Sequence, residues 1–299
     1  MNSKKIPPRA SLKLQARQAM IRHIRPCMAA SGILLALHLA AFYFQAASGG
    51  VLGYYLLSAA DYTTATGIFL AEGGLTAVLR LDAAGVLFAL PLSFRQLGVF
   101  ALVHGIVFLV TVPLLMGVLE QYHAFLQHQN RPLSSVFRWY LDLRLTGKAF
   151  ALNLVLGLVK WGMRLMGAIP GLVLFIWATD STNPGASIGS LLIPFAMLLL
   201  LAGGIAAYFV YTLILPAQYL LVRRPEASIR SLLSAGYRVF RGRRRDYFVF
   251  RLSFLLWHGL VNATYGAMGL FVHPYFELAN LLYLQAVEPD RTEDLPAPP

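Results

Sequence analysis

The sequence predicts an all-α fold, a polytopic transmembrane helix bundle of five or six spans with amphipathic helices on its cytoplasmic side. Residues 181–222 contain no charged side chain, and about 20 apolar residues suffice to cross a bilayer as a helix. Hydrophobic residues make up 58% of the chain and charged residues 13%, against roughly 45–50% and 25% in soluble domains. A soluble core could not hide such long apolar runs, so we expect residues 1–287 to form a single integral-membrane helical domain.

The basic residues fall into three groups within a chain of net charge +12. Seven Lys and Arg precede residue 26, four lie within residues 131–148, and nine lie within residues 223–251. Each group borders an apolar run, which is the pattern of cytoplasmic loops. The pattern predicts a multi-pass membrane protein with a cytoplasmic N-terminus. Because no base-reading motif accompanies the charges, we expect no nucleic-acid partner.

Five long apolar runs define the predicted spans. In chain order they cover residues 28–47, 97–119, 149–178, 187–216 and 252–272. The first follows a long basic segment and has no small-residue cleavage site after it, so it is predicted to be an uncleaved signal anchor. A shorter apolar stretch, residues 271–287, returns the C-terminus to the cytoplasm if it forms a further helix. The count of five or six spans depends on that helix, which we slightly favour.

Two segments belong neither to the five runs nor to the three basic groups. Residues 48–96 contain short apolar pieces interrupted by glycines and charges. They fit interfacial helices, a re-entrant hairpin or a ligand-facing cap, and periodicity does not distinguish these. Residues 288–299 form an acidic, Pro-rich tail, which we predict to be disordered.

Three basic amphipathic segments each run directly into a predicted span, at residues 11–25, 133–148 and 228–245. In the first, Leu12 and Ala16 are four residues apart and therefore share one helix face. Helices of this kind lie in the headgroup layer with the apolar face toward the hydrocarbon. We expect all three segments to do so on the cytoplasmic side.

The densest cationic cluster consists of four arginines among aromatic residues: Arg241, Arg243, Arg244 and Arg245. Such a cluster attracts anionic lipid headgroups by about 1 kcal/mol per basic residue near the surface, and it can also contact a partner protein. The alternative is that the arginines only set the topology, with the aromatic residues forming an interfacial belt. The expected partners are the bilayer with its anionic headgroups and other membrane proteins.

Lys160 and Arg164 form a second candidate site. They are four residues apart, so they share a helix face within the third apolar run. Ionisable residues inside a membrane helix often mark functional sites. The alternative is that this long run is shifted in the membrane, so that both side chains reach an interface.

No catalytic or metal-binding arrangement stands out in the sequence. Glu120 and His123 form one Glu-x-x-His pair, but a di-iron bundle needs two such pairs and two more carboxylates. His38, His104 and His258 each sit alone in an apolar run, where a hydrogen bond to a neighbouring helix is the commoner role. The sequence has no nucleophile-elbow, zincin, phosphate-loop or dinucleotide motif. We predict neither an enzyme nor a bound cofactor or metal.

The C-terminal region carries a family resemblance on these residues: Gly242, Phe248, Leu252-Ser253-Phe254, Trp257, Gly266 and Pro274-Tyr275. Their order and spacing resemble a bacterial integral-membrane family catalogued as domain of unknown function number nine hundred and seventy-five. Upstream, Ile169-Pro170-Gly171 resembles the Ile-Pro-Gly turn of that family. The resemblance implies an all-helical protein of the bacterial cell (inner) membrane, and it implies no particular activity.

The leading functional hypothesis is a non-enzymatic membrane component that binds partner proteins or anionic lipid through its basic interfacial helices. The three amphipathic segments and the lack of a catalytic arrangement motivate it. The alternative is a transporter or channel for a small solute, anionic solutes included. Lys160, Arg164 and the Pro- and Gly-broken runs favour this alternative, because transporters place their sites at broken helices.

Overall fold

The computed structural model describes residues 7–47, 69–71, 74–81, 85–91, 94–129, 131–179, 186–264 and 267–287. The elements in chain order are α1 (Arg9–Arg22), α2 (Ile24–Ala47), β1 (Phe69–Ala71), β2 (Gly74–Leu81), β3 (Gly85–Pro91), α3 (Phe94–Leu126), a 3₁₀ helix (Leu133–Phe137), α4 (Arg138–Leu141), α5 (Leu143–Thr179), α6 (Ala186–Ile214), α7 (Pro216–Arg223), α8 (Ile229–Val239), α9 (Arg244–Leu252), α10 (Leu255–Ala263) and α11 (Gly269–Val287). The helical class predicted from the sequence is confirmed for most of this part of the chain. The predicted disordered tail, residues 288–299, lies outside the described residues.

Three stretches of helix within the described ranges are long and apolar enough to cross a membrane. They are Ala101–Leu126 in α3, Leu143–Phe175 in α5, and Leu192–Arg223, which includes most of α6 and all of α7. The helices α1 and α2 meet at a bend of 92° and add a fourth candidate if the pair counts as one span. These helices indicate a membrane protein, as the apolar runs predicted. The expected count of five or six exceeds the three or four found.

The run predicted as the fifth span, residues 252–272, is not one helix but is divided among α9, α10 and α11. At the first break, the Ser253 hydroxyl donates to the carbonyl oxygen of Phe250 at 2.5 Å. At the second, the backbone N–H of Met268 donates to the Thr264 hydroxyl at 3.1 Å. Such side-chain bonds offer the backbone an alternative to the helical pattern, which explains why a continuous apolar run does not give a continuous helix.

A small antiparallel sheet precedes α3, with the strand order β1-β2-β3. The register pairs Leu70 with Leu75 and Leu79 with Phe88, and it shifts between Leu79 and Arg80. The sequence left the structure of residues 48–96 open among helical and hairpin alternatives. The sheet is a departure from an all-α fold, and residues 48–68 of this segment lie outside the described part.

The helices α5 and α6 pack as a tight antiparallel pair. A Cβ atom on Gly167 would lie 2.6 Å from the carbonyl oxygen of Gly203, and one on Gly203 would overlap the carbonyl oxygen of Gly167. Two glycines therefore allow the backbones to touch, as in close helix packing within membranes. The outer faces carry large exposed apolar side chains, such as Met166 (68% exposed) and Leu198 (61% exposed). Such surfaces fit hydrocarbon better than water.

A compact core lies beside this pair, with α11 against α1, α2 and α3. Fully buried side chains of α11 include Leu278, Leu281 and Tyr283. The further helix that we favoured for residues 271–287 is therefore present as α11, but it is not among the candidate spans of the described residues. Its burial among other helices, rather than its apolar length alone, accounts for its stability.

The apolar faces of the basic amphipathic segments are covered by protein. Leu12 of α1 is 2% exposed, Ala16 is fully buried, and Trp139 of α4 is buried. A Cβ atom on Gly236 of α8 would lie 2.8 Å from the backbone nitrogen of Ala217 in α7. These faces differ from the expected orientation toward lipid, because burying the same apolar stripe against neighbouring helices closes the core.

Candidate functional site

The four arginines of the predicted cluster, Arg241, Arg243, Arg244 and Arg245, line one surface groove of about 770 Å³ where α8 ends and α9 begins. The remaining lining residues are Tyr237, Arg238, Gly242 and Asp246. Five guanidinium groups and one carboxylate give this basic groove a formal charge of +4. The structure thus brings together all four arginines that the sequence singled out.

A glycine turn places the arginines around the basic groove. Gly242 has a φ of +85°, a left-handed conformation that glycine adopts without steric cost. The turn sets Arg241 just before it and Arg244 just after it on the same cavity. The guanidinium of Arg244 lies 4.0 Å from the centre of the Tyr237 ring, a cation–π contact that holds this side chain at the groove wall.

The carboxylate of Asp246 anchors the basic groove to two other helices. Arg9 of α1 donates from Nε to Oδ1 at 2.8 Å and also from Nη2, while the Tyr283 hydroxyl of α11 donates to Oδ2. Partial burial raises the pKa of Asp246, but the hydrogen bonds from Tyr283 and Arg9 and the charge of Arg9 outweigh it. The net effect is a pKa below the ordinary value of 3.8, so the group is ionised at neutral pH.

A second cavity, of about 330 Å³ and partly open, lies among the candidate spans, α9 and α11, and is called the interior cavity here for that position. The apolar side chains that line it include Phe108, Leu115 and Leu156. The polar side chains that line the cavity include Asn153, Lys160, Tyr219, Arg251, His273 and Glu277.

The structure separates the two members of the predicted intramembrane site. Lys160 lines the interior cavity, with Nζ 5.3 Å from the centre of the Tyr211 ring. Arg164 is exposed, does not line that cavity, and lies 5.9 Å from the centre of the Trp161 ring. The pair therefore shares a helix but not a site.

Hydrogen bonds satisfy several polar groups of the interior cavity. The Tyr219 hydroxyl donates to Oε2 of Glu277 at 2.7 Å, and Nε2 of His273 lies 3.9 Å from Oε1 of the same carboxylate. Nε2 of Gln218 donates to Oδ1 of Asn153 at 2.9 Å. These contacts fix the orientation of one carboxylate and one amide pair within an apolar bundle.

Arg251 is the most deeply buried cation at the interior cavity, at 6% exposed. Its guanidinium faces aromatic rings, 5.0 Å from the centre of Phe276 and 5.5 Å from that of Tyr208. Its Nε and Nη1 atoms have no hydrogen-bond partner among the residues that the structure describes. No carboxylate in that part of the chain lies within 4.0 Å of it.

Sequence reasoning assigned Arg251 to a basic loop and did not single out Glu277. A usable signal was present, because Glu277 is the one acidic residue in the apolar stretch 271–287, and such residues mark candidate sites in membrane helices. Their convergence with Lys160 depends on how α5, α9 and α11 pack, which no local pattern encodes.

Glu120, considered above as half of a Glu-x-x-His pair, holds an ion-pair cluster at the end of α3. Arg131 and Arg138 donate to Oε1 at 2.7 and 2.9 Å, and Nε1 of Trp139 donates to Oε2 at 2.8 Å. Both carboxylate oxygens are thus engaged by the segment that follows α3. The arrangement indicates a structural clamp for that connection.

Comparison with known proteins identifies one family. The family described as Protein of unknown function (DUF975) matches residues 79–290, a range that contains the basic groove and the interior cavity. No curated protein and no solved structure matches the chain significantly. The match covers more than half of the chain and agrees with the resemblance seen around Gly242 and Pro274. The chain therefore belongs to the family described as Protein of unknown function (DUF975).

Proposed function

We propose that the protein is a non-enzymatic integral-membrane component that binds the headgroups of anionic lipids in the basic groove. The convergence of four arginines on one cavity of formal charge +4 carries the proposal. A phosphodiester headgroup offers a negative charge and several acceptor oxygens, and guanidinium groups bind such oxygens through charge-assisted hydrogen bonds. A protein partner with an acidic surface would use the same chemistry and is an outcome of the test below.

The proposal includes a location and an orientation. We place the protein in the bacterial inner membrane, as a multi-pass protein whose N-terminus and basic groove face the cytoplasm. The distribution of Lys and Arg supports this orientation, and the hydrogen bonds between Arg9 and Asp246 put the start of α1 beside the groove. Anionic lipids of the cytoplasmic leaflet would then lie within reach of the arginines.

The proposal predicts selective lipid retention that depends on charge at the basic groove. Replacing Arg243, Arg244 and Arg245 together with Gln removes three cations, and at about 1 kcal/mol each this weakens binding roughly a hundredfold. Native mass spectrometry of the protein in uncharged detergent, titrated with phosphatidylglycerol or phosphatidylcholine, measures the effect. We expect the wild type to prefer phosphatidylglycerol, and added salt to reduce that preference.

A matched control removes the same charge elsewhere. Arg17, Arg144 and Arg230 are exposed and do not line the groove, so replacing all three with Gln should leave the preference for phosphatidylglycerol nearly unchanged. An equal loss of this preference in the two triple variants would show that lipid binding depends only on the overall charge of the protein. The groove variant could instead keep its preference for phosphatidylglycerol and lose a co-purifying acidic protein. That result would show that the basic groove binds a protein partner and not lipid.

A transporter or channel for a small solute, anionic solutes included, is the second candidate. The observation in its favour is that Lys160 lines a cavity among the candidate spans. The candidate requires that an anion binds there, which the octanoate experiment below measures. If no anion binds in the interior cavity, the position of Lys160 no longer supports a transporter or channel.

A further inference from the structure

We infer that the interior cavity binds a small organic anion, a monocarboxylate with a short hydrocarbon body. This site is separate from the basic groove, since the two cavities share no lining residue. The inference therefore does not depend on lipid binding at the groove.

The charge of the interior cavity calls for one further negative group. Lys160 and Arg251 contribute two positive charges and Glu277 one negative charge, which leaves a formal charge of +1 with His273 neutral. Burying an uncompensated charge in an apolar bundle costs free energy. A ligand with a single negative charge removes that excess, whereas a divalent anion would reverse it.

The polar contacts in the interior cavity leave its cations available. Glu277 accepts a hydrogen bond from Tyr219 and lies beside His273, and it makes no ion pair within 4.0 Å with Lys160 or Arg251 in the described part of the chain. Arg251 is 94% buried, at 6% exposed, and two of its donor atoms lack partners among the described residues. A buried donor without an acceptor is costly, so an arriving carboxylate supplies both charge and acceptor.

The volume and the apolar lining of the cavity determine which hydrocarbon body the anion can carry. Its volume of about 330 Å³ is near the lower end of the roughly 300–1,000 Å³ typical of small-molecule pockets, and this is too small for a diacyl lipid. The side chains of Phe108, Leu115 and Leu156 add an apolar lining beside the polar groups. This lining favours a hydrocarbon body attached to the acidic group.

Thermal unfolding with octanoate tests the inference on the full chain in uncharged detergent. Octanol and octylammonium carry the same chain with no charge and with a positive charge, and both enter micelles. We expect octanoate to raise the unfolding temperature in a saturable way, because a ligand that binds the folded state stabilises it. We expect neither control compound to do so. An equal shift with octanol, or an equal shift with acetate, would overturn the inference.

Three variants assign the effect to the interior cavity. Lys160→Met removes one cation from an apolar helix and should raise the dissociation constant for octanoate about tenfold or more. Arg164→Met is the matched control, one turn away and outside the cavity, and should leave that constant unchanged. Glu277→Gln removes the competing negative charge and should lower it. Unchanged octanoate binding in Lys160→Met would overturn the inference. Equal losses of affinity in Lys160→Met and Arg164→Met would also overturn it.

Discussion

At the scale of single residues, Asp246 links three helices through one carboxylate. It accepts hydrogen bonds from Arg9 of α1 and Tyr283 of α11 while lying at the start of α9. Because it is ionised, it offsets part of the positive charge of the basic groove and holds Arg9 near it. Asp246 therefore contributes both to the stability of the fold and to the electrostatic potential of the basic groove.

Asp246→Asn should lower the free energy of unfolding at neutral pH. It should also reduce the change of that free energy as the pH falls into the acidic range. The folded protein holds the pKa of Asp246 below its ordinary 3.8, so its contribution is present above that pH and is lost as the pH falls through the lowered pKa. The side chain is 40% exposed, so solvent screening limits the loss to about 1 kcal/mol. Unfolding measured at neutral pH and below about pH 3 should show wild type and variant converging in acid.

Glu226→Gln provides the control for this measurement. Glu226 pairs with Arg144 at 3.5 Å, but both side chains are largely exposed, and such pairs contribute little. Its unfolding should follow the wild type at both pH values. A difference between wild type and Asp246→Asn that persists unchanged in acid would contradict the role given to the ionised carboxylate.

Of the two cations at the interior cavity, the sequence singled out Lys160 but not Arg251. Lys160 stood out because it interrupts an apolar run, and it lines the interior cavity. Arg251 lies at the edge of the last basic group, where sequence alone makes it one more loop cation. Its burial results from the aromatic rings of α6 and α11 that pack around it, which is a tertiary effect.

At the scale of elements, the pair of helices α5 and α6 shows how backbone contact replaces side-chain interdigitation. Gly167 and Gly203 face each other across the interface, while Gly171 is enclosed by Leu200 and Ala196. Lipid and leucine are equally apolar, so hydrophobicity alone does not hold two membrane helices together. Close packing supplies the attraction, which makes this contact sensitive to one added methyl group.

Gly203→Ala should destabilise the pair, whereas the adjacent Gly204→Ala should not. A methyl group on Gly203 meets the backbone of Gly167, and overpacking of this kind costs about 1–3 kcal/mol. No atom lies within 4 Å of a Cβ on Gly204, and alanine there gains up to about 1 kcal/mol of helix propensity. Unfolding in uncharged detergent measures both, and loss of stability in Gly204→Ala alone would contradict the described interface.

Hydropathy predicted most of the long helices because a bilayer span needs little beyond apolar length. The runs at 28–47, 97–119 and 149–178 lie within α2, α3 and α5. Hydropathy did not predict the breaks near Ser253 and Thr264, where hydroxyl groups compete for backbone partners. It also did not predict the strands before α3, because short apolar pieces fit a strand or a helix equally well.

At the scale of the whole molecule, the two cavities are assembled in different ways. The interior cavity draws on α3, α5, α6, α7, α9 and α11. The basic groove instead comes from ten consecutive residues, 237–246. This difference explains why the sequence revealed the residues of the groove and only one cation of the interior cavity.

The proposed orientation predicts which side of the membrane the basic groove faces. Arg241→Cys should react with a membrane-impermeant maleimide in inside-out vesicles and not in intact cells. Trp177→Cys, at an exposed position near the end of α5, should show the reverse pattern. Cys27 is fully buried, so the parent protein should contribute little background. Labelling of Arg241→Cys in intact cells would contradict a cytoplasmic groove.

The contact between α1 and α11 also constrains the order of events during synthesis. Arg9 and Asp246 are 237 positions apart, and α1, which carries the Leu12–Ala16 stripe, packs against α11, which is synthesised much later. Until α11 emerges, the first helix lacks most of the native surface against which it packs. Completion of the core therefore waits until α11 has been synthesised, and a chain that stalls before residue 269 presents part of this apolar face to chaperones and proteases.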